Sequence, residues 1–284
     1  MLGVYDSGLG GLTVLAALRD AGIDQNVVFF ADRAHVPYGD RTDHEIHAFL
    51  RANLERLVRL GVDAVIAACN TSCAVAHALG WPSVPVPVLD LIASAAASLA
   101  GTPYRRIAVV ATAATARSGA YRAALRTVLP TADVAEIAAP ALVPLVESGA
   151  ADSEAAREEV RAVVARLPAE IDALVYGCTH FPLLDRHFAA ALPPAVVRLD
   201  PARAQAAATK TLVARLGLLP EAATTTYYTN GDLAAFERAV REWTADRRGP
   251  VVRLSDDVED AEEEQRRREG ESHPRGDLSE RVGA

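Results

Sequence analysis

Short β-branched and aliphatic runs recur along the chain at Leu2–Tyr5, Asn26–Ala31, Ala64–Ala68, Val84–Leu89, Ile107–Ala111, Val134–Ile137, Leu174–Tyr176 and Val196–Leu199. Between them lie stretches rich in Ala, Leu and Arg with helical periodicity, among them Asp43–Leu60 and Ser153–Leu167. Strands alternating with helices predict parallel βαβ units covered on both faces, an α/β fold class. Two further strands near Tyr227 and Val251 flank a predicted helix at Leu233–Thr244.

The pattern repeats. Val62-Asp-Ala-Val-Ile-Ala-Ala-Cys69-Asn-Thr71 aligns without a gap to Ile171-Asp-Ala-Leu-Val-Tyr-Gly-Cys178-Thr-His180. Each Cys is expected to end a buried strand and open the next helix. Upstream, Gly3–Ser7 and Val109–Thr112 are both short strands ending in a polar turn, at comparable distances from their cysteines. The chain therefore reads as two pseudo-symmetric α/β domains with parallel sheets. A break near Leu91–Pro103 separates them, and the chain returns to the first after Ala204. The expected division is 1–91 plus 205–254 for the first domain and 92–204 for the second.

Composition narrows the function classes. The 284 residues are 50% hydrophobic, enough for a sizeable core, and only 5% aromatic, so that core is packed from small aliphatic groups. Net charge is −8, but residues 255–284 carry 11 acidic side chains against 5 Arg, which leaves the rest nearly neutral. That C-terminal stretch reads as an acidic, disordered tail. No basic stripe suggests nucleic acid. The start MLGVYDSG carries no secretory pattern, and the apolar stretch at Leu91–Ala100 is too short to span a membrane. Three cysteines, an odd number, argue against a disulfide framework and for a cytoplasmic location.

Ligands of open α/β sheets bind at the carboxyl ends of strands, where Cys69 and Cys178 are both expected. A helix N-terminus there lowers a thiol pKa and offers N–H donors to a carboxylate. Two thiols on opposite sides of one carbon suit stereochemical inversion, one removing the Cα proton while the other delivers a proton. Free cysteines are commonly just buried, but two at matched positions of a repeat, flanked by Asn, Thr and His, argue for chemistry. Cys73, one turn after Cys69, has no counterpart in the second half and reads as packing. The single lysine, Lys210, lies in a helical stretch without a Gly-rich phosphate loop, which argues against pyridoxal phosphate. The Gly8–Gly11 cluster lacks nucleotide-loop spacing. His44 and His47 share a helix face without a third ligand, so no metal is expected.

Six ordered motifs resemble the glutamate racemase branch of the aspartate/glutamate racemase superfamily, over about residues 2–255. They are Asp6-Ser-Gly-Leu-Gly-Gly-Leu-Thr-Val14, Pro37-Tyr-Gly39, Ala68-Cys-Asn-Thr71, Ala111-Thr112 with Thr115 and Ser118-Gly-Ala-Tyr121, Pro144-Leu-Val-Glu147, and Gly177-Cys-Thr-His-Phe-Pro-Leu-Leu184. The resemblance implies an active site in the cleft between two domains, with Cys69 and Cys178 as paired acid/base residues. Asp6 would assist Cys69, and His180 with Glu147 would assist Cys178. Ser7, Pro37, Tyr38, Gly39, Asn70, Thr71, Thr112, Thr115 and Thr179, with Asp6 and His180, would bind substrate. It further implies no cofactor, a homodimer, and D-glutamate for peptidoglycan as product. One departure is Ala139-Pro140, where the family commonly has Cys-Pro.

Three other readings stay open at this stage: a racemase of aspartate or another amino acid, a cis–trans isomerase of the same fold, and an interaction protein working through its acidic tail. A decarboxylase of this fold needs one thiol, so two argue against it.

Overall fold

A computed structural model of the chain describes residues 1–244 and the backbone of 251–254; the expected tail, 255–284, lies outside the described residues. Among the described residues ten strands form two parallel sheets. The strands are β1 (Leu2–Asp6), β2 (Val27–Ala31), β3 (Ala64–Ala67), β4 (Val88–Asp90), β5 (Arg106–Ala111), β6 (Asp133–Ala138), β7 (Ala173–Gly177), β8 (Val197–Leu199), β9 (Thr225–Thr229) and β10 (Val251–Leu254). The first sheet runs β10-β9-β2-β1-β3-β4 and the second β6-β5-β7-β8.

The sequence repeat is visible as topology, because β2-β1-β3-β4 and β6-β5-β7-β8 have the same order and direction. In each sheet the chain moves outward in one direction and then resumes on the other side of its first strand. The switch points fall between β1 and β3 and between β5 and β7. Crevices at such points, beyond the strand carboxyl ends, are where open α/β sheets bind ligands.

Burial on both faces explains the apolar runs. β1, β2, β3 and β7 are buried at every position. One side of the first sheet packs Phe29 against Tyr227 and Phe236, with ring centroids 5.9 and 6.1 Å apart. Helix starts follow local chemistry: Thr42 caps Asp43–Arg59 in a reciprocal capping box with Glu45, and Ser153 caps Glu154–Val164.

Two expectations need correction. The run Val84–Leu89 yields a strand only at Val88–Asp90, because Pro82, Pro85 and Pro87 have no N–H to give a ladder. Between the two sheets, over the expected break at Leu91–Pro103, runs a helix, Leu91–Ser98. Asp90 caps it by accepting from Ile92 N at 2.8 Å, and it buries Leu91, Ile92 and Ala95. Second, Cys69 opens a helix, Asn70–Leu79, but Cys178 does not. A turn and a short 3-10 segment, Phe181–Leu184, follow Cys178 before the helix Asp185–Ala191, with Pro182 unable to donate in the first turn.

Candidate active site

Four strand ends converge on one cavity of about 60 Å³: Ser7 follows β1, Cys69 follows β3, Thr112 follows β5 and Cys178 follows β7. Its lining takes in Ser7, Pro37, Tyr38, Gly39, Cys69, Asn70, Thr71, Thr112, Cys178, Thr179 and His180, all expected from sequence. A larger cavity of about 670 Å³, bounded by Tyr176, Asp185, Arg198, Asp200 and Arg203, holds no thiol. The smaller one is the candidate site because both thiols and both switch points meet there.

On one side, Cys178 Sγ lies 3.6 Å from His180 Nδ1, and His180 Nε2 lies 2.7 Å from Glu147 Oε1. Glu147 also accepts from Leu9 N at 3.0 Å and faces Arg33 at 3.6 Å. Burial opposes charge on both members of this pair. The contacts with Cys178 and Glu147 outweigh it and hold the His180 pKa well above the ordinary imidazole value. For Glu147, burial is likewise outweighed by His180, Leu9 and Arg33, which keep the carboxyl below its usual range. An imidazolium–carboxylate pair thus stands behind the Cys178 sulfur.

The other side differs. The Cys69 thiol donates to Ser7 Oγ at 3.3 Å, and its sulfur caps the following helix by accepting from Ser72 N at 3.5 Å. The expected lowering of its pKa is not found. Burial pushes the thiol up to about 11, and the neighbouring Asp6 carboxylate adds to that. A helix terminus is worth roughly 0.3–1 kcal/mol at exposed sites, too little to offset complete burial. Asp6 is itself pushed up by burial, although it accepts from Gly8 N at 2.8 Å and Thr179 Oγ1 at 3.2 Å.

The Gly8–Gly11 cluster serves close approach. A methyl group at Gly8 would come within 2.7 Å of Glu147 Oε1, and one at Gly10 would run into Thr179 Oγ1 and His180 Nδ1. Small residues there let the first turn of one half lie against the acid/base pair of the other.

Three expected residues stand behind the lining. Asp6 lies beneath Thr179, and Glu147 behind His180. Thr115 is fully buried in a ring of hydroxyls, with Thr71 Oγ1 to Thr112 Oγ1 at 2.9 Å and Thr112 Oγ1 to Thr115 Oγ1 at 3.0 Å. Sequence reasoning passed over Val36, Asp40, Ala113, Pro140, Val143 and Pro144, which complete the lining. It also passed over Asp32, a buried carboxylate that accepts from Tyr38 OH and from Asn53 Nδ2 at 2.9 Å. Among the described residues no three His, Cys, Asp or Glu side chains are grouped to hold a metal ion, and His47 bonds the Gly80 carbonyl oxygen at 2.9 Å. Among the same residues no helix is long and apolar enough to cross a membrane.

The molecule is thus a doubly wound α/β protein with a thiol from each pseudo-repeat in one buried cavity. The Asp/Glu/Hydantoin racemase family matches residues 13–209, and the chain belongs to that family. It is 41% identical over 244 residues to the glutamate racemase of Gloeobacter violaceus, covering 86% of this chain and 92% of that one. Two solved structures are similar throughout. Glutamate racemase from Thermus thermophilus, in complex with β-chloro-D-alanine, is 34% identical with a TM-score of 0.76, covering 89% of this chain and 95% of that one. The Francisella tularensis enzyme, in complex with D-glutamate, is 25% identical with a TM-score of 0.80 over the same shares, 89% and 95%. The chain is accordingly an amino-acid racemase, an isomerase.

Proposed function

We propose that the protein interconverts L- and D-glutamate with Cys69 and Cys178 as paired acid/base residues, without a cofactor, and so supplies D-glutamate for peptidoglycan. The observation that carries this reading is the meeting of both thiols in one cavity of a chain whose relatives are named glutamate racemases. In each direction one sulfur, as thiolate, takes the Cα proton. The opposite thiol gives its proton to the other face of the same carbon, so the two sulfurs exchange protonation states over a turnover. His180 buffers the proton at Cys178 through Nδ1, and Ser7 holds the Cys69 proton through Oγ. The buried hydroxyls of Thr71, Thr112 and Thr179 and the Asn70 amide are the donors for the carboxylates, in a site closed enough to strengthen them. Lys210 is exposed on the helix Pro201–Arg215, away from the cavity lining, so no amine stands ready for a Schiff base. The reading includes a homodimer, which sizing with light scattering tests, and a cytoplasmic location, which the three free cysteines support.

Proton NMR of L-glutamate with the purified protein in D2O, without added cofactor, tests the reaction. The expected outcome is loss of the Cα proton signal together with D-glutamate on chiral analysis. Exchange with aspartate and none with glutamate would move the substrate; no exchange with any amino acid would overturn the reading.

A further inference from the structure

Asn70 is the first residue of the helix that follows Cys69, is 3% exposed, and lines the cavity. Its two amide ends have different surroundings. Oδ1 accepts from Tyr121 OH at 2.5 Å, whereas Nδ2 has no hydrogen-bond partner among the described residues. Tyr121 belongs to the helix Ala120–Val128 of the other half. It is fully buried, with its ring packed in the cluster containing Leu91, Ile92, Val109 and Leu125.

We propose that Tyr121 is a positioning residue: its hydroxyl turns the Asn70 amide so that the NH2 group faces the cavity as a donor for the substrate's carboxylate. This rests on the racemase reading above. An amide can sit either way round, and the hydroxyl decides. With Tyr121 donating to Oδ1, the phenolic proton is satisfied and the amide NH2, with both its N–H donors unpaired, is left for the cavity. With the amide reversed, Nδ2 would donate to the phenol oxygen. The phenolic proton would then have no acceptor among the described residues, and a carbonyl oxygen would face an anionic substrate. Both changes cost free energy, the first as a buried unpaired donor and the second as repulsion. A carboxylate, with only acceptor sites, is the ligand chemistry that completes the observed orientation.

The test is a double-mutant cycle on glutamate racemisation with wild type, Tyr121→Phe, Asn70→Ala and the double variant. Tyr121→Phe keeps the ring and its packing. It should lower kcat/KM by about ten- to hundredfold, the scale of one charge-assisted hydrogen bond, mostly as a rise in KM because the contact is made to bound substrate throughout. In the Asn70→Ala background the same change should cost less than about twofold, since Tyr121 acts through Asn70. Additive losses, or wild-type kinetics for Tyr121→Phe, would overturn the proposal. Should a variant fail to fold, the unmodified protein labelled with 15N-asparagine gives a second readout. The Asn70 side-chain NH2 signal should shift when glutamate is added, and an unmoved signal would overturn the proposal. Turnover by the unmodified protein is measured first. Its absence removes the glutamate reading and this inference together, whereas turnover with an additive cycle removes only the role of Tyr121.

Discussion

A thiol surrounded by apolar side chains resists ionising, and Cys69, pushed up to about 11 with a carboxylate beside it, resists more than most. Cys178 has an imidazolium next to it instead. The Cys69 thiol thus keeps its proton, which it donates to Ser7 Oγ. Replacing either with Ala should lower racemisation by about a thousandfold or more, the range general acid–base catalysis supplies. Each variant should keep slow, one-sided exchange of the Cα proton with solvent. Incubating pure L- and pure D-glutamate separately in D2O reads this directly: Cys69→Ala and Cys178→Ala should favour opposite enantiomers. Exchange of both enantiomers at parental rate by either variant would remove the two-base scheme. At this scale the cysteines were legible because the repeat marked them twice. Glu147 and Tyr121 were not legible as neighbours of the site from spacing, because each comes from a different helix and reaches its partner only in three dimensions. The high pKa of Cys69 was missed because helix position is written in sequence and depth of burial is not.

Elements carry a second titratable contact, away from the cavity. His77, in the last turn of Asn70–Leu79, pairs with Asp90, the cap of Leu91–Ser98. The helix that begins with the site's Asn70 is thereby tied to the helix that links the two sheets. The hydrogen bond to Asp90 raises the His77 pKa against the opposing effect of partial burial. A group whose folded pKa lies above its unfolded value stabilises fully below the unfolded value, about 6.5 for His. That contribution fades as pH rises through the higher folded pKa. His77→Gln should therefore lose more melting temperature at pH 6 than at pH 9.5, with the two proteins converging at the alkaline end; a constant difference across that range would refute the pairing. Most elements were legible from hydropathy because β1, β2, β3 and β7 are buried throughout and Thr42 and Ser153 mark helix starts. The helix at Leu91–Ser98 was not legible because its Ala/Ser composition has weak amphipathicity. Its stability comes from packing within the second half and against the helix Pro201–Arg215, which no local pattern records.

Over the whole molecule, the polar contacts between the two halves gather around the cavity. Glu147 from the second half is gripped by Leu9 N and Arg33 of the first, Thr13 Oγ1 reaches the Thr179 carbonyl oxygen at 3.1 Å, Asp6 holds Thr179, and Thr71 meets Thr112. The cavity they enclose is small, so a substrate bound there would touch both halves at once and strengthen the join between them. Ligand bound only to the folded form stabilises by about 2.7 kcal/mol at a hundred times its Kd. For a chain of this size that corresponds to a rise in melting temperature of roughly 5 °C. Because the site spans both halves, glutamate should move one cooperative transition upward as a unit in differential scanning calorimetry. Gly10→Ala, which forces Thr179 and His180 away from the first turn, should reduce that shift more than it reduces the melting temperature of the free protein. Two separated transitions, with only one responding to glutamate, would show the halves to be thermodynamically independent and would place the binding energy within a single half.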